Sequence, residues 1–159
     1  MRKSVLFVCL GNICRSPMAE AVFRDKIKKA GAESEIRVDS AGTGDWHLGA
    51  LPHVGTRNVL DSHDISYQGI RARQVVSEDF QTFDWVIAMD RSNERDLIWL
   101  ARQCGADEKK IIRFMELLGN HPTADVPDPY YTGRFGDVFQ LVDRGTDILL
   151  RRLLEKSDR

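Results

Sequence analysis

Cys9 and Arg15, with the five residues between them, carry the plainest chemistry in this chain: Cys9-Leu10-Gly11-Asn12-Ile13-Cys14-Arg15-Ser16-Pro17. An apolar run, Val5-Leu6-Phe7-Val8, ends at the cysteine, and Ser16-Pro17 opens a helical pattern. A strand stops, a short loop turns and a helix begins. Such a thiol and guanidinium suit a sulfur nucleophile held against a doubly charged oxyanion. Only the thiolate attacks well, and a nearby helix N-terminus and Arg15 favour that form. A loop of this length can curl around one tetrahedral group with its N–H donors turned inward. Gly11 and Asn12 are the residue types that best tolerate left-handed backbone angles. Arg15 supplies a planar fork suited to two phosphate oxygens. Ser16 is read as the N-cap, with Pro17 as the first helical residue; the Ser16 proton is then free for the Cys9 sulfur. A buried core cysteine before a capped helix would explain Ser16 and Pro17, but not Arg15 beside a Gly-Asn turn.

Releasing an alcohol from a phosphoryl group also needs an acid. Asp128-Pro129-Tyr130-Tyr131 offers one. Pro129 restricts Asp128 to an extended backbone, and the tyrosines form an amphipathic wall for an aromatic substrate. Asp125 is the rival acid.

These residues need a scaffold. Ser4 to Val8 reads as a fully buried strand, because its apolar residues run on rather than alternate. Met18, Ala21, Val22 and Ile27 recur at helical spacing, with Glu20, Arg24, Asp25 and Lys28 between them, and Gly31 stops that helix. Further strands are predicted at 35–40, 84–89 and 111–114. Helices are predicted at 52–63, 92–103 and 136–154, with a single turn at 77–80. The stretch 67–75, with Arg71 and Arg73, is irregular. His121 to Tyr131, with Pro122, Pro127 and Pro129, is a fixed loop. Strands alternating with helices imply a mostly parallel sheet covered on both faces. Cys9, Ser40 and Asp90 fall at strand ends and should meet on one rim, where ligands bind in such sheets.

Composition sets the outer bounds. One domain over residues 1–159 is expected from the length. The net charge of -1 gives no general electrostatic case for nucleic acid or an anionic membrane. Three cysteines form no even disulfide framework and suit a reducing, cytoplasmic setting. The apolar N-terminal run is too short for a membrane span and lacks a small-residue cleavage site. His47, His53, His63 and His121 have no metal-ligand spacing with one another or with a cysteine. Trp85 and Trp99 read as packing residues, and Cys104 as an incidental thiol.

In these residues the chain resembles the low-molecular-weight protein tyrosine phosphatases. The nucleophile loop matches their C-x5-R-S pattern. Asp39-Ser40-Ala41-Gly42-Thr43, Ala72-Arg73-Gln74, Met89-Asp90-Arg91-Ser92-Asn93 and Asp128-Pro129-Tyr130-Tyr131 follow in the family's order. The resemblance implies a flavodoxin-like three-layer sandwich with a four-stranded parallel sheet and helices on both faces. It implies that Cys9 attacks phosphorus, Arg15 binds the equatorial oxygens, and Asp128 serves as general acid and then base. It places Leu10, Gly11, Asn12, Ile13, Cys14, Ser16, Trp46, Tyr130 and Tyr131 around the substrate. Asn12 and Ser40 would support the loop, and Cys14 would be a resolving thiol for an oxidised Cys9. No metal or organic cofactor is implied. The partner is a phosphotyrosine protein or peptide, with no nucleic acid and no membrane. The protein would be a cytoplasmic monomer, with weak dimerisation possible. Two departures concern the cleft rim. Family members often carry an acidic residue soon after the proline that opens the second helix, whereas Pro52 is followed by His53-Val54-Gly55-Thr56-Arg57, and Ile70-Arg71 stands where a His commonly precedes the Ala-Arg-Gln block.

Other functions fit less well. Arsenate reductase chemistry on this fold relays electrons through cysteines after the third strand, and 89–100 has none. A protein-arginine phosphatase tends to carry Thr where Ile13 stands; the apolar side chain suits a phenyl ring. A catalytically dead phosphate-binding module should lack the thiol or the acid.

Overall fold

The computed structural model describes residues 2–119 and 123–157. His121 and Pro122, the first part of the predicted proline loop, lie outside them. Four parallel strands, β1 (Lys3–Cys9), β2 (Ile36–Gly42), β3 (Trp85–Ala88) and β4 (Ile111–Arg113), form one sheet in the order β2-β1-β3-β4. The chain runs from β1 outward to β2, then returns to the other side for β3. The strand order therefore reverses at β1, and the crevice beyond the carboxyl ends of β1 and β3 is the natural ligand site.

Among the described residues the α-helices are α1 (Arg15–Lys29), α2 (Val54–Ser62), α3 (Asp79–Thr82), α4 (Arg91–Gln103), α5 (Pro129–Thr132) and α6 (Phe135–Ser157). The continuous apolar run of β1 follows from this burial on both faces. Val5, Phe7 and Cys9 point into the core shared with α1 and α6; Leu6 and Val8 point into the core shared with Phe80, Phe83, Leu97 and Ala101. The pleat thus aims Cys9 toward α1. Phe7 meets Phe23 edge-on, with ring centroids 5.9 Å apart.

The predicted elements are all present with shifted ends. The helix after the loop begins at Arg15, and the residue in the N-cap position, Cys14, makes no side-chain cap. Ser16 is therefore not the N-cap, because its hydroxyl is engaged behind the loop. Pro17 sits within the first turn, where its missing N–H costs nothing. α1 ends as predicted at Gly31 (φ 66°): Gly31 N–H donates to Lys28 O and Ala32 N–H to Ile27 O. α4 starts one residue earlier than predicted, because Asp90 caps it; Asp90 Oδ1 accepts from Asn93 N at 2.7 Å. Pro129–Thr132 is a helical turn inside the predicted loop. Trp99 is 64% exposed and does not serve helix packing. Glu20, read as one of the polar residues between helical apolar positions, is buried.

Lys26 links the two long helices, with Nζ 2.8 Å from carboxylates of both Asp143 and Asp147. The approach of α6 to the sheet depends on Gly145. A Cβ there would lie 2.4 Å from the buried Phe114 ring. Helix propensity favours Gly→Ala by roughly 1 kcal/mol; overpacking a filled core opposes it by about 1–3 kcal/mol. Gly145→Ala should therefore lower the urea midpoint, whereas Gly136→Ala, with open space around it, should not. Equal stability of Gly145→Ala and the parent would contradict the packing described here.

Candidate active site

The loop from Leu10 to Cys14 joins β1 to α1, and the carbonyls of Leu10, Ile13 and Cys14 are tied outward. Leu10 O accepts from Gly44 N at 2.9 Å, and Ile13 O from His53 N at 2.7 Å. Cys14 O accepts from Thr56 Oγ1 at 3.0 Å. Across a planar trans peptide the next N–H points the opposite way. The N–H groups of Gly11, Cys14 and Arg15 thus turn toward the inside of the loop, as an anion cradle requires. Asn12 takes φ 56°, which lets the chain reverse between these peptides. Glycines allow close contact on both flanks. A Cβ on Gly42 would lie 2.8 Å from Leu10 O, and one on Gly11 would lie 3.1 Å from the His47 ring.

Asn12 also locks the loop from behind. Its Nδ2 donates to Ser16 Oγ at 2.8 Å and Ser40 Oγ at 3.0 Å, while its Oδ1 accepts from Arg73 N at 2.9 Å. Ser16 Oγ lies 2.9 Å from Cys9 Sγ. Because Ser16 accepts from Asn12, its own proton is available to the sulfur. Arg73 is held in turn by Asp39 and Asp79, at 3.1 and 3.0 Å. It is an ion-paired anchor, whereas Arg71 is exposed.

Arg15 is 2% exposed. Its Nη1 donates to Asp90 Oδ2 at 2.7 Å and Val126 O at 2.9 Å, and its Nη2 lies 3.4 Å from Asp128 Oδ2. Burial works to lower the guanidinium's pKa. Cys9, Asp90 and Asp128 outweigh it, so the pKa is raised and the cation is secure. Nε is buried and makes no hydrogen bond, the donor left over for a bound oxyanion. Cys14 is different: burial first, then Cys9 and Asp128, push its thiol up to about 12. It therefore stays protonated beside Cys9.

Val126 N–H donates to Met89 O at 2.9 Å, pinning the acidic loop to the end of β3. Asp128 is extended before Pro129, as predicted, and its Oδ1 accepts from Tyr130 N at 3.1 Å. A cleft of about 380 Å³ is lined by Cys9, Leu10, Gly11, Ile13, Cys14, Arg15, Trp46, His47, Asp128, Tyr130 and Tyr131. Cys9 is 3% exposed, whereas Trp46, Tyr130 and Tyr131 are 68%, 55% and 77% exposed. The sulfur lies deep under an aromatic rim.

The structure thus brings the sequence-predicted residues together, with distinctions. Asn12, Ser16 and Ser40 are buried behind the loop and do not line the cleft. Asp125 lies off the cleft. Burial would raise its pKa, but the N–H and guanidinium of Arg91 lower it, so it stays ionised. Sequence reasoning missed His47 in the lining and the Asp90 contact to Arg15, although it put Asp90 on the right rim. His53 was expected only at the rim. Its backbone holds Ile13 O, and its ring stacks on Phe135 at 5.1 Å and meets Tyr130 edge-on at 5.9 Å.

The family described as low molecular weight phosphotyrosine protein phosphatase matches residues 4–159. The low molecular weight protein-tyrosine-phosphatase YfkJ of Bacillus subtilis is 50% identical over 97% of this chain and 97% of its own. PtpA of Staphylococcus epidermidis is 41% identical over 97% of this chain and 96% of its own. The crystal structure of YfkJ superposes with a TM-score of 0.94, at 47% identity, over 98% of this chain and 97% of that one. The Drosophila arginine phosphatase DARP shares the fold at a TM-score of 0.86 and 30% identity, over 96% and 97% of the two chains. Deep thiol, buried guanidinium, inward-facing loop and whole-length similarity agree: the chain belongs to the low molecular weight phosphotyrosine protein phosphatase family and is a protein-tyrosine-phosphatase.

Proposed function

We propose that Cys9, Arg15 and Asp128 divide the two steps of phosphomonoester hydrolysis between them. The supporting observation is their convergence on one cleft, with the sulfur at its depth and the aspartate beside the arginine. The phosphoryl oxygens sit on the loop N–H groups and Arg15, whose donors gain most as charge builds on the equatorial oxygens. Cys9 thiolate attacks phosphorus in line, and the P–O bond to the leaving phenol breaks. Asp128 gives its proton to the departing oxygen. The phosphocysteine is then attacked by water, from which Asp128 takes a proton, and the P–S bond breaks to return the thiolate and inorganic phosphate. The Ser16 hydroxyl steadies the sulfur in both steps.

The substrate is a phosphotyrosine protein or peptide. The depth of Cys9 beneath Trp46, Tyr130 and Tyr131 suits an aryl ester, whose ring spans the cleft; a phosphoserine would leave phosphorus short of the sulfur. Ile13 in the lining favours the phenyl ring over a phosphoguanidinium. Arsenate reduction has no relay: Cys104 caps the C-terminus of α4, a helix whose other end is at Asp90, roughly 20 Å away along its axis. Cys9 and Cys14 form a redox pair in this reading. Peroxide oxidises the Cys9 thiolate to a sulfenic acid, and the Cys14 thiol condenses with it, releasing water and forming the disulfide. Among the described residues no helix is long and apolar enough to cross a membrane. The reading is completed by a single-domain cytoplasmic enzyme, monomeric or weakly dimeric, acting on proteins rather than on nucleic acid or membranes.

Three measurements test these assignments. Cys9→Ser should abolish turnover of an aryl phosphate assayed without added metal; metal-dependent activity surviving the substitution would overturn the mechanism. Asp128→Ala should lower kcat by about 10²–10⁴-fold for poor leaving groups and less for good ones, with Asp125→Ala near the parent; the reverse pattern moves the acid. Mild peroxide should give a thiol-reversible Cys9–Cys14 disulfide by peptide mass spectrometry, and Cys14→Ala should instead accumulate irreversibly oxidised Cys9.

A further inference from the structure

One buried ionisable side chain plays no part in the chemistry above. Glu20 lies one helical turn after Ser16 on the same face of α1. It is 8% exposed, and among the described residues it makes no ion pair. Its Oε1 accepts from Ser40 Oγ at 2.6 Å. That bond ends a chain whose direction is fixed by its middle member. The Asn12 amide donates to both serines, so each serine has its own proton left to give. Ser40 gives its proton to Glu20, and Ser16 has Cys9 Sγ as its nearest acceptor. The order is Glu20, Ser40, Asn12, Ser16, Cys9, with no gap longer than 3.0 Å.

We propose that Glu20 is a positioning residue for the phosphatase reaction, and that its ionised carboxylate tightens this chain and so sharpens the anion loop and the nucleophile's support. A charged acceptor strengthens the Ser40 bond and makes Ser40 Oγ a better acceptor for Asn12. The neutral acid is a weaker acceptor and leaves Asn12 less firmly held in its left-handed turn. The charged groups facing Glu20 are Asp39 from β2, Arg24 from α1 itself and Arg73 from the segment behind the loop. Both arginines are committed elsewhere, Arg24 to the carbonyls of Ser66 and Gln68 and Arg73 to Asp39 and Asp79. Glu20 therefore lacks the cation that a buried carboxylate ordinarily keeps. Burial accordingly pushes it up to about 7; the Ser40 hydrogen bond and then the arginines pull the other way, and Asp39 adds to burial. The folded value lies above the ordinary 4.5, so this group's contribution to stability is complete below 4.5 and lost as pH rises through 7. Ionisation thus costs stability while it sharpens the site.

Glu20→Gln separates these effects, since the amide imitates the neutral acid and still accepts from Ser40. The ratio of kcat/KM, parent over variant, on an aryl phosphate cancels titrations common to both. It should be near one at about pH 5.5 and rise about five- to tenfold by about pH 8.5. Over the same range the melting temperature of the variant should rise relative to the parent. A purely structural role moves activity and stability in the same direction, and a ratio flat with pH overturns the proposal. In a Ser40→Ala background the link is cut, and Glu20→Gln should no longer change the pH profile. A rise that persists there also overturns it. The inference rests on Cys9 being the nucleophile. That assignment stands or falls on Cys9→Ser turnover alone, so the two ideas fail separately.

Discussion

Backbone N–H groups can face a single anion only if the carbonyls of the same peptides have somewhere else to go. That constraint organises much of this molecule. An unsatisfied buried carbonyl costs about 1–3 kcal/mol, so the short loop after β1 needs partners from outside itself. They come from the segment after β2, through Gly44, and from the start of α2, through His53 and Thr56. These stretches look like connectors, yet they hold the loop's outer surface. Asn12 contributes the remaining condition. A left-handed residue other than glycine costs roughly 1–2 kcal/mol, and here three hydrogen bonds from one carboxamide offset it.

Arg15 imposes a second demand. A guanidinium this buried is tolerated only where charge and hydrogen bonds meet it. Asp90 supplies the main contact, and it can do so because it also caps α4: Oδ1 is fixed on the helix N-terminus, which leaves Oδ2 aimed at Arg15. The Val126 carbonyl supplies the next contact, and the Val126 N–H is bound to the end of β3. The reversal of strand order beside β1 thus has a chemical consequence. It puts the nucleophile loop and the α4 cap side by side, and the loop of residues 123–128 closes over both.

Periodicity and punctuation made the fold legible: an apolar run for β1, helical spacing for α1, Gly31 as its stop, and alternation of strand and helix. Cys9, Arg15 and Asp128 were legible because thiol, arginine and Asp-Pro are informative by type and spacing; Trp46 came only through the family resemblance. What stayed hidden depended on tertiary neighbours. Ser16 is a plausible cap by local rules, and only the closeness of Asn12 and Cys9 diverts it. Glu20 reads as one of the polar residues between the apolar positions of α1, and only the position of Ser40 on β2 shows that it faces inward. Asp90 reads only as a strand-end residue; its cap on α4 and its second oxygen on Arg15 have meaning only once β1 and β3 are neighbours. His53 reads as a departure at the rim, whereas its backbone is part of the loop's support.

Three aspartates compete for the acid's role, and their surroundings separate them. Asp125 is bound to Arg91 through both side-chain oxygens, is held ionised, and lies off the cleft. Asp90 has one oxygen on a helix N-terminus and the other on Arg15 at 2.7 Å. Both oxygens are committed, so it acts as a fixed counter-charge. Asp128 lines the cleft and meets Arg15 at the longer distance of 3.4 Å, with its other oxygen on one backbone N–H. An anion drawing Arg15 toward the loop would loosen that longer contact first and leave Asp90 in place. Substrate binding would then free the carboxyl proposed as the acid while retaining the Asp90 contact. This asymmetry of two carboxylates on one guanidinium, rather than the Asp-Pro motif alone, is the physical argument for Asp128 as the acid.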